Sequence, residues 1–320
     1  MTEQIQTVIY SFVPAERCNM CGAGLSRAKI IGRRLNDSQG LRPRGRIGIT
    51  VTVMRCRRCG LVFANPQPRP SDVAQHYGVP PEEYWPPEYF HDSDSYFSSQ
   101  IDTFSRLRGK KPPKGPARVL DVGAGLGKAV HALLHAGFDV WALEPSRPFC
   151  ERAREATGLG ADRLIEGSVE DAEFEDGFFD CVFFSAVLEH LYDPSAVLAR
   201  AVRWLRPGGW VHVEVPSSSW LTGRIVNAAY RLQGLDYAAN LSPMHVPFHL
   251  FEFRLRSFQE HARAHGYAVA YHTSYVCQTY LPRLADPILK PAMALTGTGM
   301  QLEVWLQREG QCARPPPRRA

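Results

Sequence analysis

Residues 119–128 read V-L-D-V-G-A-G-L-G-K: an apolar run ending on Val122, three alternating glycines, then a helix-forming stretch. A buried strand that enters a helix through such a loop opens a parallel α/β unit. Its backbone can bring a ligand close to the helix N-terminus. The alternation continues downstream. Strands are expected at Arg118–Val122, Asp139–Leu143, Leu164–Ile165, Phe179–Ser185, Trp210–Val215, Tyr267–Thr273 and Gln301–Arg308. Helices are expected at Ser98–Leu107, Lys128–Ala136, Arg147–Thr157, Ser195–Trp204 and Arg256–Ala264. Seven strands with helices between most of them predict an α/β fold with a Rossmann-like sheet.

The glycine spacing narrows the ligand. A dinucleotide fingerprint has the form G-x-G-x-x-G, and here Lys128 takes the place of its third glycine. The D-x-G-x-G-x-G pattern suits a ligand without phosphate, whose amino-acid end needs an acceptor and whose ribose needs a carboxylate. Glu144 supplies that carboxylate at the end of the next strand, 23 residues after Asp121. The stretch resembles the first motifs of class I S-adenosylmethionine-dependent methyltransferases. E-G-S-V-E-D at 166–171, F-D-C-V-F-F-S-A-V-L-E-H-L at 179–191 and L-R-P-G-G-W at 205–210 continue the resemblance in order, the last as a turn before the fifth strand. It implies S-adenosylmethionine as cofactor. Asp121, Gly123 and Gly125 would lie around its methionine end, and Glu144 would hold the ribose. Ser168 stands where many relatives carry the adenine-binding aspartate, so that contact would pass to Val169 or Glu170. Ser185 and Ala186 would face the sulfonium.

Half of the eight cysteines form two C-x2-C-G units, Cys18/Cys21 and Cys56/Cys59, separated by 34 residues. Four thiolates close a tetrahedral metal site with no open position, which is a structural role. Neither unit opens a helix in a βαβ pattern, which argues against a redox pair. The expectation is structural zinc, with β-like runs at Arg46–Met54 and Leu61–Ala64 and a long basic loop between the knuckles. C-R-R-C-G-L-V-F-A-N-P-Q-P at 56–68 resembles a subset of the same family, in which such a zinc module precedes a Tyr-rich segment.

Methyl transfer to a hydroxyl or amine needs a proton acceptor near neutral pH, for which histidine is suited. His190 follows the fourth strand, and His245 and His249 lie in P-M-H-V-P-F-H-L-F-E-F; all three are candidates, each set against a merely structural role. His131, His135, His261 and His265 fall at helical spacing and read as surface residues. Trp220, Tyr230 and Tyr237 are expected to line an acceptor pocket. Tyr84, Trp85, Tyr89 and Tyr96 are expected to form a lid, and Arg224 and Arg231 to meet an acidic acceptor.

Proline clusters divide the chain. The expected units are a zinc-ribbon-like module at 1–70, a Pro/Tyr-rich linker and helical lid at 71–116, and a methyltransferase domain at 117–310. Residues 216–247 form a substrate cap, and 311–320 a disordered tail. Charge is uneven: residues 1–70 hold 12 Lys and Arg against 3 Asp and Glu, within a chain of net charge +5. That asymmetry keeps open an RNA methyltransferase that grips nucleic acid through the basic module. The leading expectation is methyl transfer to a hydroxyl of a small natural-product or sugar intermediate. No apolar run is long enough to span a membrane. The N-terminus has no signal-peptide pattern, so the expected compartment is the cytoplasm.

Overall fold

The computed structural model describes residues 9–35, 49–72, 80–84, 96–109, 115–244 and 248–310. Its centre is a seven-stranded sheet formed by β6 (Arg118–Val122), β7 (Asp139–Glu144), β8 (Leu164–Glu166), β9 (Phe179–Ser185), β10 (Leu205–Pro216), β12 (Tyr267–Tyr275) and β13 (Gln301–Arg308). The order across the sheet is β12-β13-β10-β9-β6-β7-β8. Pairing from β10 through β8 is parallel, and β13 runs antiparallel between β10 and β12. The chain order reverses at β6: β7 and β8 extend one way, β9 and β10 the other. In such sheets the crevice at the carboxyl ends of the two diverging strands holds the ligand.

The strands of that centre are mostly apolar and buried because helices cover both faces. All of β9 except Ser185 is buried. The covering helices include α2 (Ser98–Arg108), α3 (Lys128–His135), α4 (Arg147–Thr157), α5 (Pro194–Trp204) and α7 (Leu255–His265); α1 is a single turn at Pro81–Tyr84. Asp193 caps α5, accepting a hydrogen bond from the Ala196 N–H at 3.0 Å. Phe104 of α2 stacks on Trp305 of β13 with ring centroids 6.3 Å apart, and both are fully buried.

The N-terminal residues form two further sheets. β1 (Tyr10–Val13) pairs with β5 (Gln67–Pro70). A four-stranded sheet runs β11-β4-β3-β2, from β2 (Ala28–Leu35), β3 (Ile49–Cys56), β4 (Val62–Asn65) and β11 (Phe251–Glu252). Its last strand comes from beyond the fifth strand of the large sheet. The basic stretch between the knuckles, expected as a loop, therefore includes a β2–β3 hairpin; residues 36–48 lie outside the described residues.

Other expectations need correction. L-R-P-G-G does not stand as a turn before β10: Leu205 already pairs with Phe179, and the register shifts between Leu205 and Trp210. The cap contains a helix, α6 (Leu221–Leu232), and α8 (Asp286–Thr296) fills another stretch with no expected element. His261 is not a surface residue. It is 2% exposed, 2.9 Å from the Ser195 hydroxyl and 2.9 Å from the Tyr267 hydroxyl, so it bridges α5, α7 and β12. His131 and His135 are exposed, as expected, and His265 is half-buried.

Gly32 of β2 sits against the cap. A Cβ built there would lie 2.7 Å from the carbonyl oxygens of Asp236 and Tyr237. Gly32→Ala is expected to force the hairpin off the cap and destabilise the chain by about 1–3 kcal/mol, the range for overpacking. Chemical denaturation checks this; unchanged stability would show that the approach is loose in solution.

Candidate functional site

A cavity of about 1290 Å³ opens at the carboxyl ends of β6 and β9. Its floor is the glycine loop. The Gly123 and Ala124 N–H groups donate to the Leu143 carbonyl at 2.8 and 2.9 Å, folding the loop over β7. Gly123 has φ +73°, and a Cβ there would lie 2.6 Å from Val187. Gly125, at φ +54°, would project a Cβ into open space. The first glycine permits close packing, and the second leaves room beside the backbone.

Glu144 closes one side. Its two oxygens accept hydrogen bonds from the Gly125 and Ser146 N–H groups, both at 2.8 Å. Burial pushes its carboxyl up to about 7, and the two N–H groups oppose that rise. Asp121 is also pushed up to about 7, by burial and by its neighbour Glu144. Ser168, Val169 and Glu170 form the next wall: the Ser168 hydroxyl bonds the Glu170 carboxylate, and Arg200 donates to the Glu170 carbonyl at 2.7 Å. Ser185 and Ala186 follow β9, Ala186 at φ +56°, a left-handed conformation that turns the chain at the cavity rim. The structure thus brings every cofactor candidate read from the sequence to one cavity.

The far end is polar. Glu189, His190 and His249 line it together. The Leu250 and Phe251 N–H groups donate to the Glu189 carbonyl at 2.8 and 3.2 Å, which brings His249 to the turn after β9. Burial pushes Glu189 up to about 8. Trp220 and Tyr96 also line the cavity, whereas Tyr230 and Tyr237 pack on each other, 6.2 Å between centroids, and are not among its lining residues. Arg224 and Arg231 are exposed, near Arg55 and Arg254 rather than in the cavity. His245, Trp85 and Tyr89 lie outside the described residues, and of Tyr84 only the backbone is described.

Arg34 and Glu252 are among the lining residues that sequence reasoning missed. Arg34 reaches the cavity from β2 and is 3% exposed; burial lowers its guanidinium to about 10, opposed by Tyr230 and Glu252. Glu252 of β11 is pushed up to about 7 by burial, while accepting from the Asn240 side chain and the Leu241 N–H. The local pattern around Arg34 shows only a basic strand. Its destination depends on the hairpin docking against the cap.

The polar lining fits a ligand such as S-adenosylmethionine. Buried groups normally find hydrogen-bond partners, yet Ser146 Oγ, Ser185 Oγ, Trp220 Nε1 and both Glu189 oxygens have none. A second site also fits its group. The Sγ atoms of Cys18, Cys21, Cys56 and Cys59 lie within 4.8 Å of one another, with the Cys18–Cys59 pair at 3.5 Å and Cys21–Cys56 at 3.6 Å. Tetrahedral zinc with bonds of about 2.3 Å needs separations of about 3.8 Å. Gly22 and Gly60, at φ +67° and +84°, let each knuckle turn back. A hydrogen bond between Cys18 and Cys59 lowers the Cys59 thiol and raises that of Cys18.

Comparison with known proteins finds methyltransferases. The profile of the methyltransferase domain family matches residues 120–213. A ubiquinone biosynthesis O-methyltransferase of Thiobacillus denitrificans is 30% identical over 184 residues, 54% of this chain and 75% of the relative. A glycine/sarcosine/dimethylglycine N-methyltransferase of Actinopolyspora halophila is 36% identical over 122 residues, 37% of this chain and 22% of the relative. Among solved structures, an S-adenosylmethionine-dependent methyltransferase of Mesorhizobium loti aligns with TM-score 0.44 and 16% identity, covering 68% of this chain and 98% of its own. The chain belongs to the class I S-adenosylmethionine-dependent methyltransferases and is an enzyme of that type.

Asp121, Glu144 and Glu252 all have carboxyl groups raised to about 7. Between the ordinary carboxylate range and pH 7 the folded chain therefore binds more protons at these sites than the unfolded chain. Their contribution is fully present below about pH 4 and is lost as pH rises through 7. The ligand-free protein is expected to lose several degrees of melting temperature from these groups between pH 5 and 8, at roughly 2–4 °C per kcal/mol. Glu144→Gln should flatten that fall in a thermal-shift series; an unchanged slope would mean that Glu144 stays ionised throughout.

Proposed function

We propose that this enzyme transfers a methyl group to a hydroxyl oxygen of a small natural-product or sugar intermediate, in the cytoplasm. The observation that carries the proposal is the single cavity joining the cofactor cradle to the Glu189–His190–His249 end. Its volume, about 1290 Å³, exceeds the roughly 300–1,000 Å³ of ordinary small-ligand pockets. Cofactor and acceptor then fit side by side. The likeness to ubiquinone biosynthesis O-methyltransferases supports oxygen as the acceptor atom.

S-adenosylmethionine, when bound, supplies the electrophilic methyl carbon. The chain's own residues bind and align. Asp121, Gly123 and Gly125 hold the methionine end, and Glu144 accepts the ribose hydroxyls. Ser168, Val169 and Glu170 hold the adenine, and Ser185 and Ala186 flank the reacting sulfur. Alignment of the acceptor oxygen with the methyl carbon is the main catalytic contribution. His190 and His249 are the proposed proton acceptors at the acceptor end, with His245 a third candidate. The four cysteines hold structural zinc. The proposed division stays at 1–70, 71–116, 117–310 and a 311–320 tail, with 216–247 as cap; β11 is lent to the first unit's sheet.

The RNA reading has one observation in its favour, the exposed Arg224 and Arg231 close to Arg55 and Arg254. Radiolabelled methyl transfer from the zinc-loaded full chain to panels of phenols, sugar alcohols and total RNA separates the two. Label on small hydroxyl compounds is expected; label on RNA alone, with steep salt dependence, would overturn the proposal.

Two variants test the supporting roles. Glu144→Ala should weaken S-adenosylhomocysteine binding by about 100-fold in calorimetry, the loss of two hydrogen bonds to a charged group. Unchanged affinity would remove the ribose assignment. Cys56→Ser should take zinc from about one per chain to near none and lower the melting temperature; a wild type without zinc would end the structural-metal reading.

A further inference from the structure

We propose that Glu189, His190 and His249 form a second metal site, separate from the four cysteines, which binds a divalent cation at the acceptor end of the cavity. One carboxylate oxygen and one nitrogen from each ring lie within 4.8 Å of one another. His249 Nε2 is 3.8 Å from Glu189 Oε1. The two imidazoles are inclined at 68° with centroids 5.0 Å apart. One nitrogen of each ring lies on the Glu189 side of the pair, within 4.8 Å of a Glu189 oxygen. Bonds of about 2.1 Å to a shared ion need donor separations of roughly 3.0–3.5 Å. The Glu189–His249 pair must therefore close in by about 0.3–0.8 Å.

The independent observation is Glu189 itself. It is 1% exposed, and neither of its oxygens has a hydrogen-bond partner. A buried carboxyl group left in that condition costs free energy that a cation would recover. The scaffold is braced for the task. The Glu189 carbonyl takes N–H groups from Leu250 and Phe251, the Ser242 N–H donates to the His249 carbonyl at 3.0 Å, and the His249 N–H donates to the Ser242 hydroxyl at 3.2 Å. Two imidazoles and one carboxylate, without thiolate, suit a first-row divalent ion and leave coordination positions open. All three ligands line the cavity, so an ion held by them would be reachable from it.

The consequence rests on the proposed transfer to oxygen, although the existence of the site does not. With the ion bound, the imidazoles hold metal instead of taking the proton. A hydroxyl bound to the ion ionises near neutral pH and releases its proton to water. Its oxygen then forms the new C–O bond as the methyl carbon–sulfur bond breaks, and the electron pair returns to sulfur. Adjacent open positions favour an acceptor with two neighbouring oxygens, such as a vicinal diol or an α-hydroxy carbonyl compound.

The test is Mn²⁺ titration of the zinc-loaded full chain, followed by electron paramagnetic resonance, because Mn²⁺ is a poor partner for thiolates. One saturable Mn²⁺ per chain is expected, weakened at least about tenfold by Glu189→Gln and by His249→Ala. Both variants should keep their zinc and bind S-adenosylhomocysteine within a few-fold of wild type. No saturable Mn²⁺ in the wild type overturns the site, as does unchanged affinity in both variants. If Glu189→Gln loses its zinc, the half-buried His249 decides through His249→Ala, and the wild-type titration stands by itself. Mn²⁺ bound without S-adenosylhomocysteine binding would leave the cation site standing and sink the cofactor reading; the reverse pattern would do the opposite.

Discussion

The parallel pairing of β6 with β9 is the constraint on which the rest depends. Val119 pairs with Cys181, and the register runs to Val122 against Phe184. These residues are buried on both faces, which fixes the register because a slip of one residue would reverse every side chain. The two strands then continue in opposite directions across the sheet, and the gap at their carboxyl ends cannot be filled by a neighbouring strand. The glycine loop enters that gap from one side and the turn after β9 from the other. Both the glycine-loop end of the cavity and the Glu189 cluster follow from this one divergence.

Legibility in the sequence followed local patterning. β6, β9 and α4 were readable to the residue because a fully buried strand is a bounded apolar run and α4 is bounded by Ser146 and Gly158. The second-strand glutamate was readable because its position follows from the strand's length. What escaped was non-local. β11 is two residues long and exists only because Phe251 meets Phe63 across the fold. Helical period placed His261 and His265 on one face, but period does not say whether another element covers that face. Here α5 and β12 do. Helix α6 buries Thr222, Val226 and Tyr230 at four-residue spacing, but the same face carries Gly223 and Asn227, so its apolar period is weak in the sequence.

The N-terminal residues are joined to the enzyme body by polar contacts as well as by β11. The Ser218 hydroxyl donates to the Gly60 carbonyl at 2.9 Å, and the Ser257 hydroxyl to the Cys59 carbonyl at 3.3 Å. Arg58 meets Glu260 at 2.8 Å, and Asn19 reaches both Asp193 and the Ser195 N–H. Cys18, Cys56 and Cys59 pack within the same apolar cluster as Leu198 and Phe258. Arg34 shows what this joint achieves: a side chain from the hairpin reaches the cavity that the Rossmann-like sheet opens.

The β4–β11 pairing also bears on how the chain is made. About 190 residues separate Phe63 from Phe251. During synthesis β4 leaves the ribosome with one edge unpaired, and its partner follows only after most of the large sheet has been translated. An open apolar edge of this kind invites pairing with other chains. The second cysteine knuckle is the turn that joins β3 to β4, so metal capture at that stage would hold the two strands together while the edge waits. With zinc as the proposed ion, yield in cells should then track its supply during translation more closely than its supply afterwards.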